Sequence, residues 1–238
     1  MAGEATLSVR IVLVTGATRG IGHAAALELA RQGAHVIAAG RAVGALEELD
    51  DAIKGAGGQA TLVPFDLKDH AAIDRLAAGI AERWERLDGL LANAAMLGPL
   101  TPLPHLDPKA WGTLVDVNLT AQLRLVRAMD PLLRAAPSGR AVFVTSGIAE
   151  RPRAYWGGYA ATKAALNAAI FCYADETRQT ALRVNLYNPG ATRTRMRAQA
   201  MPGEDPETLP APELHAPILA RLLSAAETRH GQIVTAGS

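Results

Sequence analysis

Two tyrosines and one lysine lie close together in the segment AYWGGYAATKAAL, residues 154–166. Tyr159 and Lys163 are four residues apart, so on a helix both side chains share one face. Tyr155 has Tyr159, and not a lysine, at that spacing. An ammonium about 5 Å from a phenol favours the phenolate by roughly 3 kcal/mol at an effective dielectric constant near 20, which is about two pKa units. The spacing therefore predicts an acid–base pair in which Lys163 lowers the pKa of Tyr159 toward neutral pH.

Two further polar residues support this hypothesis. A tyrosine and a lysine occur at this spacing by chance on many helices, so the pair alone does not establish a function. Ser146 follows the apolar run of a predicted strand, and its hydroxyl could hydrogen-bond a substrate oxygen. Asn118 is a polar residue among apolar neighbours within a predicted helix. We interpret Asn118, Ser146, Tyr159 and Lys163 as the candidate catalytic residues.

A glycine-rich turn follows the first predicted strand. The segment TGATRGIG, residues 15–22, joins an apolar β-branched run to a segment with helical periodicity. Glycines let the backbone approach a pyrophosphate, and a helix N-terminus offers unpaired N–H groups and a positive dipole. The spacing is Gly-x3-Gly-x-Gly, and tight packing of a helix on a strand would also select small residues there. The position of the turn in a βαβ unit favours dinucleotide binding.

The end of the second predicted strand indicates which dinucleotide binds. An NAD site places a carboxylate there to hydrogen-bond the ribose 2′-hydroxyl, whereas this strand ends Ala38-Ala39-Gly40-Arg41. The planar guanidinium of Arg41 can bind a 2′-phosphate, and Arg19 in the glycine-rich turn could reach the same group. Arg41 could instead face solvent at the start of a helix. We expect NADP(H) to bind in preference to NAD(H).

The elements that must position these residues alternate along the chain. Predicted strands cover residues 11–14, 35–39, 60–64, 89–92, 141–145, 184–187 and 232–235. Predicted helices cover residues 20–32, 43–54, 69–84 and 212–226, with a long helix ending near residue 136 and another opening at the Tyr159 segment. The alternation predicts an α/β fold, a Rossmann-type doubly wound parallel sheet of about seven strands with helices on both faces, in three α/β/α layers. The carboxyl ends of the strands then share one edge, where ligands bind.

We expect residues 1–238 to form a single domain. The interval 190–212 contains four prolines and is expected to be a loop with little regular structure that serves as a lid on the substrate side. The N-terminal residues contain no long apolar run of the kind found in signal peptides or membrane spans, so we expect a cytoplasmic protein without a membrane partner.

The amino-acid composition argues against several kinds of binding site. Apolar residues make up 49% of the 238 residues and aromatic residues 4%, and the formal net charge is +1. This balance argues against a nucleic-acid surface, which needs basic stripes and stacking rings. Cys172 is the only cysteine, so it cannot form an internal disulfide, and we expect a buried thiol on a helix. The six histidines show no metal-ligand spacing, so we expect no metal site.

In their order and spacing, these motifs resemble the short-chain dehydrogenase/reductase family in its single-domain branch. The resemblance runs along nearly the whole chain. It rests on TGATRGIG at residues 15–22, Asp66-Leu67, LANAA at residues 91–95, Asn118, Ser146, the Tyr159-x-x-x-Lys163 pair, and Pro189-Gly190 followed by Thr194.

The resemblance implies a role for each matching residue. Tyr159 would be the proton donor or acceptor, and Ser146 would position the substrate oxygen. Lys163 would hold the nicotinamide ribose and lower the phenol pKa, and Asn118 would anchor a water in a proton relay reaching Lys163. Asp66 would approach the adenine and Asn93 the adenosine ribose, whereas Thr192 and Thr194 would contact the nicotinamide carboxamide and phosphates. The implied cofactor contacts are Gly16, Thr18, Arg19, Gly20, Ile21, Gly22, Arg41, Asp66, Leu67, Asn93, Tyr159, Lys163, Pro189, Gly190, Thr192 and Thr194.

The chain departs from the family pattern in one segment near the cofactor. The family usually reads Asn-Asn-Ala-Gly where this chain has Ala92-Asn93-Ala94-Ala95. Because alanine keeps both changed positions small, we expect cofactor binding to survive.

The resemblance implies an oxidoreductase that transfers a hydride between NADPH and a carbonyl or secondary alcohol, with Tyr159 as general acid/base. An NADP(H)-binding sensor or non-catalytic subunit is the main alternative, and isomerase or dehalogenase chemistry on the same scaffold is a third. The family also implies a homodimer or homotetramer, with the Tyr159 helix in a subunit contact.

The sequence leaves the substrate open. Candidates to line an apolar pocket near Tyr159 are Met96, Leu97, Ile148, Tyr155 and Trp156. The three arginines that follow Pro189-Gly190 could bind an acidic substrate or carrier, or could simply be solvated; they are Arg193, Arg195 and Arg197.

Overall fold

A computed structural model describes residues 10–237, in which seven parallel strands form one sheet. The strands are β1 Ile11–Thr15, β2 His35–Gly40, β3 Gln59–Pro64, β4 Gly89–Ala92, β5 Arg140–Val144, β6 Arg183–Asn188 and β7 Ile233–Thr235. Their order across the sheet is β3-β2-β1-β4-β5-β6-β7. The chain therefore winds outward from β1 in one direction and then returns to continue from β4 in the other. Ligands of such sheets bind where the strand order reverses, outside the carboxyl ends.

Helices cover both faces of the sheet, which confirms the predicted Rossmann-type arrangement. They are α1 Gly20–Arg31, α2 Val43–Gly55, α3 His70–Trp84, α4 Pro108–Val115, α5 Ala121–Ala135, α6 Gly157–Glu176, α7 Arg195–Ala200 and α8 Ala216–Leu222. All five residues of β1 are buried, as expected for a parallel strand covered on both sides. Leu13 packs in the core formed with α3, α5 and α6, whereas Val12 and Val14 pack in the core formed with α1, α2 and α8. Within residues 10–237, no helix has both the length and the apolar character to cross a membrane.

The long helix predicted to end near residue 136 is interrupted by one wide turn. Residues Asp116–Thr120 form a π-helical turn between α4 and α5. Such turns insert an extra residue into the helical ladder and are frequent at functional sites. Asn118 lies at the centre of this turn and is fully buried.

The prediction that residues 190–212 form a loop with little regular structure was wrong in part, and the lid role stays a prediction. The six-residue helix α7 lies within this interval, and Thr194 caps it by accepting a hydrogen bond from the Arg197 backbone N–H at 3.2 Å. Short 3₁₀ turns follow at Pro206–Thr208 and Pro212–His215. The predicted 212–226 helix is correspondingly shorter, because its first turn is 3₁₀ and α8 covers only Ala216–Leu222.

The prediction of a buried Cys172 was also wrong. The side chain is exposed on α6. One face of this helix packs on the sheet through Leu166 and Ile170, while Ala164, Ala168 and Cys172 lie on its exposed face. Helical spacing shows which residues share a face, but a nearly uniform apolar composition does not show which face meets the sheet.

Candidate active site

The fold brings the predicted site residues to the carboxyl edge of the sheet. Each follows a different strand of the sheet: the glycine-rich turn follows β1, Arg41 follows β2, Asp66 follows β3, Asn93 follows β4, Ser146 follows β5 and Pro189 follows β6. This arrangement is a consequence of parallel strands joined by helices. Residues far apart in the sequence therefore form one candidate site.

The glycine-rich turn is shaped by contacts that leave no room for side chains. Gly16 and Gly20 have φ angles of +67° and +55°, in the left-handed region that favours glycine. A Cβ atom on Gly22 would lie 2.3 Å from the carbonyl oxygen of Gly16 and 2.5 Å from the side-chain nitrogen of Asn93. Asn93 Nδ2 in turn donates to the carbonyl oxygens of Thr15 at 3.1 Å and Gly16 at 3.3 Å. The start of α1 is thus a backbone-lined surface suited to phosphate groups.

Arg41 and Asp66 meet at the ends of β2 and β3. The Arg41 Nη1 atom lies 3.7 Å from Asp66 Oδ2, and both side chains are accessible to solvent. Thr18 of the glycine-rich turn packs above the end of β2, since a Cβ on Gly40 would lie 2.6 Å from its methyl carbon. The Leu67 side chain, by contrast, is buried in the core. Arg41, Asp66 and Thr18 therefore lie at the ends of β2 and β3, on the carboxyl edge of the sheet.

Tyr159 and Lys163 lie on the buried face of α6, as their spacing predicts. Their side chains are 7% and 3% exposed. The Lys163 Nζ atom is 5.9 Å from the centroid of the Tyr159 ring and donates a hydrogen bond to the Val144 carbonyl oxygen at 2.8 Å. Tyr155 is instead 60% exposed. The structure therefore assigns Tyr159, and not Tyr155, to the interior of the site.

Asn118 connects the wide turn between α4 and α5 to the segment after β4. Its Oδ1 accepts from the Met96 backbone N–H at 2.9 Å, and its Nδ2 donates to the Met96 carbonyl at 2.8 Å and to Thr162 Oγ1 at 3.2 Å. Thr162 precedes Lys163 on α6, so Asn118 joins three parts of the site. The water relay that the family resemblance implies stays a prediction.

The segment after β6 closes the site opposite α1. Asn188 Oδ1 accepts hydrogen bonds from the backbone N–H groups of Gly147 at 3.2 Å and Gly190 at 3.1 Å. This side chain therefore joins the loop that carries Ser146 to the loop that begins with Pro189-Gly190. A Cβ on Gly20 would lie 3.4 Å from the Thr194 methyl carbon, so the segment after β6 reaches the glycine-rich turn.

Residues 10–205 match the family model described as short chain dehydrogenase. The chain belongs to this family.

Individual relatives extend this match over most of the chain. An uncharacterised oxidoreductase of Escherichia coli K12, YciK, is 42% identical over 209 residues, which are 87% of this chain and 82% of YciK. A solved short chain dehydrogenase from Pseudomonas syringae is 40% identical with a TM-score of 0.95, covering 99% of this chain and 98% of that one. Another, from E. coli CFT073 and complexed with NADPH, is 39% identical with a TM-score of 0.93, covering 98% of this chain and 99% of that one.

In this short chain dehydrogenase the expected lowering of the Tyr159 pKa is wrong for the protein alone. Burial raises the pKa of Tyr159 to about 12, and a side-chain hydrogen bond with Ser146 acts in the opposite direction. Burial also lowers the pKa of Lys163 to about 8. The Lys163 ammonium is directed at the Val144 carbonyl, so the loss of water around the phenol outweighs the attraction that the spacing suggested.

Two polar residues that sequence reasoning missed hold the loops of this short chain dehydrogenase in place. Thr15 Oγ1 accepts from the backbone N–H groups of Asn93 at 3.1 Å and Ala94 at 3.2 Å, joining the ends of β1 and β4. Asn188 makes the corresponding link between β5 and β6. Both residues end a strand, and a polar side chain at that position was the available signal. The altered Ala92–Ala95 segment therefore keeps its connection to the glycine-rich turn.

Apolar side chains surround the Tyr159 ring on the substrate side. We call them the apolar wall: Leu97, Leu100, Ile148, Trp156, Met196 and Ala200. Leu97, Ile148 and Trp156 were among the predicted lining residues. The other three were missed, and two of these, Met196 and Ala200, lie on α7. The Trp156 and Tyr159 rings lie edge to face, 6.2 Å apart. Tyr155 points away into solvent, and its carbonyl accepts from the Thr101 N–H at 3.0 Å.

A buried hydrogen-bonded chain supports Thr192. The Tyr187 hydroxyl lies 2.7 Å from His215 Nδ1, and His215 Nε2 lies 2.9 Å from Thr192 Oγ1. All three side chains are buried. Neutral imidazole has one N–H donor and one acceptor, so it can join two hydroxyl groups in this way. The chain fixes Thr192 relative to β6.

We expect the free energy of unfolding to fall as the pH decreases below about 6.5, because burial lowers the pKa of His215 in the folded protein. Between the folded and unfolded pKa values the unfolded chain binds more protons, so stability rises with pH there, and His215 no longer weakens the fold above pH 6.5. Urea unfolding from pH 5 to 8 should show a smaller pH dependence for His215→Gln than for wild type. His105→Gln, at an exposed site, should follow wild type; parallel curves for all three proteins would contradict the prediction.

Proposed function

We propose that this protein is an NADPH-dependent carbonyl reductase that also catalyses the reverse oxidation of a secondary alcohol. The observation that carries the proposal is the buried Tyr159, which lies with Lys163 and Ser146 at the carboxyl edge of the sheet, against the apolar wall. The test is NADPH oxidation, followed by absorbance, against a panel of ketones and aldehydes. NADPH binding without turnover of any member would instead favour the alternative of a sensor or non-catalytic subunit.

The residues present fit a nicotinamide dinucleotide. The glycines at the start of α1 let the turn pack tightly, since a Cβ on Gly22 would lie 2.3 Å from the Gly16 carbonyl oxygen. They leave the N-terminus of α1 lined by backbone, which suits phosphate groups. Arg41 and Arg19 would hold the 2′-phosphate, and Asp66 would approach the adenine. Asn93 would lie at the adenosine ribose, and the segment from Pro189 to Thr194 at the nicotinamide half. When bound, NADPH supplies the hydride that reduces the carbonyl carbon.

The chain itself supplies and steers the proton. With a pKa of about 12, Tyr159 is protonated throughout the neutral range, so its phenol is ready to donate. An alkoxide that develops from a carbonyl is a far stronger base than a phenolate and takes this proton readily. Ser146 would donate a second hydrogen bond to the same oxygen, and two fixed donors stabilise developing negative charge in a site that excludes water.

The raised pKa of Tyr159 also favours carbonyl reduction over alcohol oxidation. Alcohol oxidation requires Tyr159 to act as a phenolate base, which burial disfavours. We therefore propose that the isolated chain is arranged for reduction at neutral pH, and that oxidation gains at alkaline pH. Lys163 would hold the nicotinamide ribose through its ammonium, which burial makes easier to deprotonate than a lysine in water.

Wild-type protein is expected to bind NADPH at least about tenfold more tightly than NADH, a difference of about 1.4 kcal/mol. Arg41→Ala should weaken NADPH binding and leave NADH binding nearly unchanged, since only NADPH carries a 2′-phosphate for the guanidinium. Fluorescence titration with both cofactors measures this. Arg31→Ala, an exposed arginine at the end of α1, serves as the control, and equal wild-type affinities for the two cofactors would contradict the role given to Arg41.

We also propose that the protein forms a homodimer or homotetramer through α6. Its outward face carries three small residues and one large apolar one, Ala161, Ala164, Ala168 and Phe171, all exposed. Small residues at this spacing let two helices approach closely. Light scattering should give a multiple of the 24.9 kDa chain mass; a monomer would contradict this.

We further propose a cytoplasmic location, which suits a chain whose single cysteine is an exposed free thiol.

A further inference from the structure

From the side chains around Tyr159 we infer that this site takes neutral, apolar ketones or aldehydes and discriminates against carboxylates. Arg193 and Arg197, which sequence reasoning left open as ligands for an acidic substrate, instead hold the 190–212 segment in place. The inference rests on the carbonyl reductase function proposed above and specifies its substrate class.

The apolar wall decides what can lie next to the reacting carbonyl. Leu97 and Leu100 come from the segment after β4, Ile148 follows Ser146, and Trp156 precedes α6. Met196 and Ala200 come from α7 and complete the wall from the opposite side. Substrate atoms beside Tyr159 would therefore contact aliphatic and aromatic carbon from three separate segments. Such a surface favours apolar groups through their removal from water.

Arg197 is held by an acidic residue of its own segment. Its Nε and Nη2 atoms each donate to a different carboxylate oxygen of Glu204 at 2.6 Å. This two-point geometry satisfies the donor pair that a substrate carboxylate would use. Both side chains are 25% exposed, so the pair is partly shielded from water. The contact joins α7, which carries Met196 and Ala200, to the turn that follows it.

Arg193 makes a second connection to the same stretch of chain, through one side-chain contact that is more exposed than the Arg197 pair. Its Nη1 atom lies 2.7 Å from Glu207 Oε1, and its backbone N–H donates to the Pro210 carbonyl at 2.9 Å. Arg193, just before α7, and Arg197, in its first turn, thus tie this part of the chain to residues 204–210. These contacts hold the apolar side chains of α7 against Tyr159.

The remaining arginines near this side of the molecule are exposed. Arg195 lies on α7, and Arg151 and Arg153 lie in the segment between β5 and α6; all three face solvent. Exposed charges are screened by water and salt, and give weak selectivity for an anion. A carboxylate at the apolar wall would lose its water, which is strongly unfavourable. The buried Lys163 ammonium already donates to the Val144 carbonyl and is proposed to hold the nicotinamide ribose.

The charge preference is tested with two probes that share one reacting carbonyl, methyl 4-acetylbenzoate and 4-acetylbenzoate. The distant para substituent changes the charge of the probe and leaves the acetyl group in place. We expect kcat/KM for the ester to exceed that for the acid by at least about 100-fold. Met196→Lys, which adds a cation to the apolar wall, should reduce this ratio by raising turnover of the acid and lowering turnover of the ester.

The role of the arginine pairs is tested with the same two probes. Arg197→Gln and Glu204→Gln should each lower kcat/KM for ester and acid by the same factor, and the double variant should be no worse than either single one, because all three break one contact. Arg195→Gln, also on α7, should match wild type. A loss confined to the acid in Arg197→Gln, or in the Arg151→Gln and Arg153→Gln double variant, would show that an arginine binds the substrate and would overturn the inference.

The outcomes separate this inference from the proposed function. Ester turnover well above acid turnover supports both. Acid turnover equal to or above that of the ester overturns the substrate class and leaves the carbonyl reductase function intact. If neither the two probes nor a wider panel of neutral and acidic carbonyl compounds oxidises NADPH, the reductase function itself has failed and the inference falls with it.

Discussion

Replacing Tyr159 by phenylalanine should lower kcat for carbonyl reduction by a factor of about 100 to 10,000, the usual contribution of a positioned general acid. The change removes only the hydroxyl that would protonate the developing alkoxide, and the ring keeps its place beside Trp156 and the apolar wall. NADPH affinity should therefore change little. Steady-state kinetics with NADPH absorbance, together with a cofactor titration, measures both quantities.

The matched control is Tyr155→Phe, which removes the same atom from an exposed ring four residues earlier. This variant should retain wild-type activity, because the Tyr155 side chain lies in solvent. Thermal unfolding of each variant checks that it is folded. If Tyr159→Phe keeps more than a small fraction of wild-type turnover, or if Tyr155→Phe loses as much, the proton donor is misassigned.

Replacing Lys163 by methionine should abolish most activity and at the same time stabilise the protein. Burial lowers the pKa of Lys163 from 10.5 to about 8, and each unit corresponds to about 1.4 kcal/mol, so the charged form costs the folded state roughly 3 kcal/mol at pH 7. Methionine removes this cost but leaves the Val144 carbonyl without the donor it has in the wild type. We expect the free energy of unfolding to rise by about 1–2 kcal/mol at pH 7 once that loss is subtracted.

The pH dependence of the stability difference between Lys163→Met and wild type shows whether it comes from the buried charge or from better packing of the methionine side chain. Below about pH 8 Lys163 is protonated in both states, so its penalty is fully present. Between about pH 8 and 10.5 the unfolded chain binds the additional proton, so wild-type stability rises with pH relative to Lys163→Met. Chemical denaturation at pH 7, 8.5 and 10 should therefore show the advantage of the variant shrinking.

An exposed lysine provides the control for Lys163→Met. Lys109→Met, on α4, should leave activity and its pH-dependent stability close to wild type. A Lys163→Met protein that is less stable than wild type at pH 7 would show that the contact with Val144 outweighs the burial of the charge. Retention of wild-type activity would remove Lys163 from the proposed mechanism.

The sequence by itself determined the order and type of the main secondary-structure elements of this protein. Alternating apolar runs and helical periodicities predicted each strand of the sheet, because both signals are local and repeat within a few residues. The glycines of residues 15–22 predicted the tight turn after β1, since glycine tolerates the positive φ angles and close contacts found there; phosphate binding by this turn stays a prediction. Spacing alone put Tyr159 and Lys163 on one helical face and showed that Tyr155 has no lysine four residues on, whereas the exposure of Tyr155 was decided by the tertiary structure.

Properties that depend on contacts between distant segments were decided by the tertiary structure. The direction of the Tyr159 pKa shift follows from how deeply α6 buries the phenol, which spacing cannot report. The exposure of Cys172 depends on which face of a nearly uniformly apolar helix meets the sheet. The helix α7 within residues 190–212 depends on a cap from Thr194 and on ion pairs with Glu204 and Glu207.

The candidate site shows the same division. The residues proposed to position and protonate the substrate oxygen lie within about one turn of one helix or at the end of one strand, so their types and spacing were enough to predict them. Its apolar wall draws on three segments, and the roles of Arg193 and Arg197 depend on acidic partners seven or more residues away. The candidate catalytic residues could therefore be predicted from local sequence patterns. The pKa values, the apolar wall and the contacts that hold the loops could not, because they depend on distant side chains that meet, away from water, only in the folded chain.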